Sequence, residues 1–76
     1  MMNCVWMLSV VESHSGVGIG VKGIYDNFRK AFEAYRELAF EQEISQQIDV
    51  ERAVYTYTTI LRKWRIERMT INATRC

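Results

Sequence analysis

The sequence predicts an α+β domain: an antiparallel sheet of three to four strands with one amphipathic helix packed on a face, in the order ββα(β)β. Three observations carry this. Two runs rich in branched and aromatic residues, 4–12 and 17–25, flank the polar turn cluster Ser13-His14-Ser15-Gly16. Phe28, Ala31, Phe32, Tyr35, Leu38 and Ala39 then recur at helical spacing. The last third returns to β-branched and aromatic residues through 54–60 and 64–72.

The first strand, 4–12, carries Cys4, Trp6, Leu8 and Val10 on one face and Val5, Met7 and Val11 on the other. Apolar residues on both faces suit a strand inside a sheet. The second strand, 17–25, places Val17, Ile19, Val21 and Tyr25 opposite its glycines, and the pair reads as a hairpin. Asp26 or Asn27 caps the helix, since either side chain accepts from the exposed N–H groups of a first turn. The helix is expected to fray around Ile44-Ser45-Gln46-Gln47. Residues 49–63 fit a helix by spacing, but the run Val54-Tyr55-Thr56-Tyr57-Thr58-Thr59-Ile60 favours a strand. Arg62-Lys63 is the expected turn into a last strand over 64–72, and the tail 73–76 reads as loose. The expected core is Trp6, Leu8, Val10, Ile19, Val21, Phe28, Phe32, Tyr35, Leu38, Ile66 and Met69.

At 76 residues the chain has room for a single domain, 1–76. A chain of this length hides only about 60% of the surface its unfolded form exposes, so its stability is modest. Hydrophobic residues make up 49% of it, which excludes a disordered class. The net charge of +1 gives no long-range pull toward nucleic acid or membrane. No apolar run approaches the ~20 residues that span a bilayer, and the start lacks the marks of a secretion signal. The two cysteines, Cys4 and Cys76, read as free thiols in a reducing cytoplasm.

Gly18-Ile19-Gly20-Val21-Lys22-Gly23 has the letters of a dinucleotide-binding loop. Such a loop turns straight into a helix inside a βαβ unit. Here the glycines alternate with branched residues and the helix starts later, so the segment reads as a strand and no cofactor is expected. The glycines at 18 and 20 would instead let another backbone approach, which makes Gly18 and Gly20 candidates for contact with a partner.

No catalytic set emerges. Glu12, Ser13 and His14 sit too close in sequence to converge as a triad, and one histidine with two distant cysteines does not give a zinc spacing. The expectation is a non-enzymatic protein without a metal. Two charged constellations remain. Glu33, Glu37 and Glu41 fall at i, i+4 and i+8, an acidic ridge on the helix suited to a basic groove of a partner. A solvated face paired with Arg29 and Arg36 is the plainer reading. Arg62, Lys63, Trp64, Arg65 and Arg68 would meet phosphates and stack on a base in a nucleic-acid binder. Against that stands a plain structural role, with Trp64 anchoring the core.

The strand Val5-Trp6-Met7-Leu8, the turn Glu12-Ser13-His14-Ser15-Gly16, the strand end Gly23-Ile24-Tyr25-Asp26 and the segment Trp64-Arg65-Ile66-Glu67-Arg68-Met69-Thr70-Ile71-Asn72 together resemble a loose group of small bacterial and phage proteins. In size and architecture the chain is also similar to phage counter-defence proteins of the anti-CRISPR kind. The resemblance implies a cytoplasmic accessory factor of phage or mobile-element origin that occupies a host or phage protein's surface as an inhibitor or adaptor. The expected partner is a protein, with homodimerisation, a self-assembling structural protein and nucleic acid as alternatives, and no membrane.

Overall fold

The computed structural model describes residues 4–12 and 18–70. Six elements follow in chain order: β1 (Cys4–Glu12), β2 (Gly18–Tyr25), α1 (Phe28–Leu38), β3 (Glu43–Asp49), β4 (Val54–Thr59) and β5 (Arg62–Thr70). The strands form one antiparallel sheet in the order β2-β1-β5-β4-β3, with α1 packed on one face. The α+β class and the single helix therefore hold, but the sheet has five strands and the order is ββαβββ. His14, Ile71 and Cys76 lie outside the described residues.

β1 and β5 pair along their whole length, from Cys4 against Thr70 to Glu12 against Arg62. Alternation then fixes two layers. Leu8, Val10, Trp64, Ile66 and Tyr57 face the helix and are buried with Ala31 and Tyr35. Trp6, Tyr25, Phe28, Phe32 and Tyr55 pack around them. The core is largely aromatic: Tyr35 stacks on Tyr57 at 4.8 Å, and Trp64 meets Tyr35 edge-on at 5.7 Å. Such pairs add to the stability from burial alone.

Three expected core residues are exposed instead: Val21, Leu38 and Met69. For Val21 the cause is a register shift between the Leu8 and Ser9 pairs, which skips Lys22. One extra residue turns the strand over, so Gly20, Gly23 and Tyr25 lie on the helix side, while Val21 and Ile24 lie on the other. The G-x-G-x-x-G segment is strand, as its alternation predicts. Gly20 takes φ +113°, a conformation L residues rarely adopt.

The helix starts where expected. Asn27 caps it, accepting from the Lys30 N–H at 2.9 Å. It ends at Leu38, and Ala39 turns extended while its N–H still reaches the Tyr35 carbonyl at 2.8 Å. The segment expected to fray as helix is therefore β3. The turn before β5 also moves, from Arg62-Lys63 to Ile60 and Leu61. The Thr59 hydroxyl sets this turn: its oxygen accepts from the Arg62 N–H at 3.1 Å and lies 3.0 Å from the Arg62 carbonyl.

Cys4 is buried at the head of β1 and is disulfide-bonded, so the free-thiol expectation fails there and the inference to a reducing compartment loses its basis. Alkylation of the denatured protein is expected to label Cys4 only after reduction. Labelling of Cys4 without reductant, seen by peptide mass spectrometry, would contradict the bond.

Candidate interaction surface

A sheet has two edges, and these two differ in kind. β2 is disrupted as a template for pairing. It carries two register shifts, the left-handed Gly20 and Lys22, which are features that discourage another strand. β3 has one shift, between Glu43 and Ser45, and then pairs regularly with β4 from Ser45 to Asp49. Its outer side meets no strand among the described residues. All seven of its residues are exposed. It contains neither lysine nor proline, the usual guards of an open edge.

The apolar residues beside this edge are also uncovered. Phe40 is 91% exposed, Ile44 65%, Ile48 47% and Val50 73%. Helix α1 lies close to β1, β2 and β5, and reaches β4 only through its aromatic side chains. β3 thus projects past the helix. Exposed apolar groups gathered along an unpaired strand are the features by which sheets accept another strand.

Two carboxylates hold this overhang in place. The Tyr35 hydroxyl donates to Glu43 Oε1 at 2.7 Å, joining the helix to the start of β3. Burial, the bond to Glu43 and the Glu43 charge push the Tyr35 phenol far above its ordinary range, so it stays a neutral donor. Burial and the same charge raise Tyr57 as well. Glu41 turns inward, its side chain only 10% exposed. It lies 3.0 Å from the Thr59 hydroxyl and 3.9 Å from Arg62 Nε. The single Thr59 proton serves either Glu41 or the Arg62 carbonyl. Burial raises the Glu41 pKa, but its own backbone N–H, Thr59, Trp64 and Arg62 outweigh that and hold it below the ordinary carboxylate value. The buried Trp64 indole N–H, which has no other partner, helps to hold the Glu41 charge.

Since the Glu41 pKa is lowered on folding, its contribution is complete above about pH 4.5 and is lost as pH falls below that value. Glu41→Gln is expected to cost about 1–3 kcal/mol, the range for disturbing a buried charged hydrogen bond. Urea melts at pH 7 and at pH 3 check both points: the variant's deficit should shrink at the lower pH. An equal deficit at both would show that the charge is not the cause.

The sequence-derived candidates separate in space. Glu33, Glu37 and Glu41 do not make a ridge, because the helix stops before Glu41 and the Glu41 carboxylate packs inward. Glu33 pairs with Arg29 at 3.8 Å, and Arg36 lies over the Phe32 ring at 5.9 Å. The outer helix face, with Arg29, Glu33, Arg36 and Glu37 lining one shallow cleft, is therefore balanced in charge. Gly18 and Gly20 lie on the guarded edge, β2.

The basic and aromatic cluster is split by strand alternation. Arg62, Trp64 and Arg68 fall on the helix side of β5, while Lys63 and Arg65 fall on the open side. Trp64 is completely buried and offers no face to a base. Arg62 is held between Glu41 and the Trp64 ring, and Arg65 lies 4.0 Å from Glu67. A continuous cationic platform is absent among the described residues. The β3 edge was missed in the sequence, where its only apolar residues, Ile44 and Ile48, stand four apart and fit a helix as well as a strand.

No protein-family model, curated protein or solved structure matches the chain. Among the described residues no helix is long and apolar enough to cross a membrane, and no group of His, Cys, Asp and Glu is placed to hold a metal.

Proposed function

We propose that this chain is a non-enzymatic protein-binding factor that occupies a partner by strand addition at β3. One observation carries the reading: β3 is an edge strand, regularly paired from Ser45 to Asp49, with every residue exposed, Ile44 and Ile48 among them, and with uncovered Phe40 just before it. Main-chain hydrogen bonds along a free edge supply affinity, and side chains on alternate positions supply selectivity. A small protein that caps another protein's sheet in this way blocks or adapts it. The accessory role in a phage or mobile-element setting, implied by the sequence resemblance, belongs to the same proposal.

The test is affinity capture from a nuclease-treated host lysate, with wild-type chain and an Ile44→Lys, Ile48→Lys variant run side by side. A protein retained by the first and lost by the second supports the edge. A protein retained equally by both contradicts it, as does material recovered only when nuclease is omitted.

A further inference from the structure

The bond at Cys4 bears on how this small fold is held and on where it persists. Cys4 opens β1, is 6% exposed and is disulfide-bonded. The sequence holds one other cysteine, Cys76. A bond within the chain therefore joins these two.

The sheet register makes that pairing reachable. Cys4 faces Thr70 in the terminal pair of the β1–β5 ladder. Residues opposed in an antiparallel pair lie about 4.5–5.5 Å apart at Cα. A disulfide asks for a Cα separation of about 5.5–6 Å. The segment from 71 to 76 spans about 20 Å when extended, far more than a return to Cys4 needs.

The place of the bond gives it its effect. β1 is an inner strand, between β2 and β5. By alternation Cys4 shares the helix side with Trp6, Leu8 and Val10. Trp6 meets Phe28 at 5.5 Å and Tyr55 at 6.1 Å, so the start of β1 supports the aromatic layer. The buried cluster has only seven members, and a domain with so small a core commonly needs a staple beyond it. Joining positions 4 and 76 closes a loop of about 70 residues, which restricts the unfolded chain more than a short loop does.

We propose that Cys4 and Cys76 form a redox-dependent staple that supplies a large share of the stability of the fold. As the S–S bond forms, two thiols lose two protons and two electrons. Thiol–disulfide exchange passes them to a disulfide oxidant, which leaves as two thiols. Oxidised, the staple ties the head of β1 to the chain beyond β5. Reduced, the small core stands alone. The chain is thereby fitted to a compartment where disulfides persist, in place of the cytoplasm that free thiols would suggest.

The experiment uses the full chain, refolded in a buffer of oxidised and reduced glutathione. It is compared with the same chain under a phosphine reductant and with a Cys76→Ser variant, which keeps the buried Cys4 side chain. Digestion after glutamate without reductant is read by mass spectrometry, and thermal melts are read by circular dichroism. The proposal expects residues 1–12 linked to residues 68–76, and released by the reductant. It expects the reduced chain and the variant to melt together, about 15–30 °C below the oxidised chain. Thiols that stay free in the glutathione buffer, or residues 1–12 linked to a second copy of themselves, would overturn the pairing. A linked chain that melts at the same temperature with and without reductant would overturn the staple. A variant that melts well away from the reduced wild type would show that Cys76 acts otherwise than through the bond, and would overturn it too.

Discussion

Replacing Trp64 by alanine is expected to abolish cooperative folding at 25 °C. Trp64 sits near the centre of the sheet, opposite Val10 on one side and Tyr57 on the other, and is fully buried. Tyr35 from the helix closes over it. Truncating a buried aromatic to alanine costs about 3–5 kcal/mol. Folded domains have about 5–15 kcal/mol in total, and a chain that hides so little of its surface lies near the lower end. The loss is therefore comparable with the whole stability. Lys63→Ala is the matched control: one position away, exposed on the opposite face, and expected to change stability by less than about 0.5 kcal/mol. Thermal melts followed by circular dichroism separate the two. If Trp64→Ala melted like the wild type, β5 would not have the register described here. The surface stacking role would then regain its place.

The second large effect concerns binding and should leave folding intact. In the Ile44→Lys, Ile48→Lys variant one replaced side chain is already largely in water and the other about half so, and the loss of buried area is small. The expected change in stability is within about 1 kcal/mol. Partner affinity is expected to fall at least about a hundredfold. Lysine on an edge strand is a natural barrier to pairing, and two apolar contacts vanish. Titration calorimetry with the captured partner reads the affinity, and a urea melt confirms the fold. A stable variant that binds as tightly as wild type would remove β3 from the interface.

Where burial leaves a pattern, the fold was legible in the residues. β1 alternates around a packed face, α1 carries its apolar stripe, and the run 54–59 is β-branched and aromatic, so these three elements could be read directly. β3 could not, because a strand exposed on every residue has no alternation to display. The bulge at Lys22 hid the true faces of β2, since no local signal marks one skipped residue. Ile60 and Leu61 looked like strand because they are apolar, yet the Thr59 hydroxyl makes them a turn. The candidate site followed the same logic. Charges spaced for a helix suggested a ridge through Glu41, but the position where the helix ends decides where that carboxylate points.

Amide hydrogen exchange of the full chain, free and partner-bound, decides whether β3 is the surface through which the protein binds. β3 amides facing away from β4 should exchange rapidly in the free chain. They should slow by at least about tenfold in the complex, while α1 and β2 change little. Protection confined to the helix face around Glu33 and Glu37, or to Lys63 and Arg65 on the open face of the sheet, with β3 unchanged, would contradict the account.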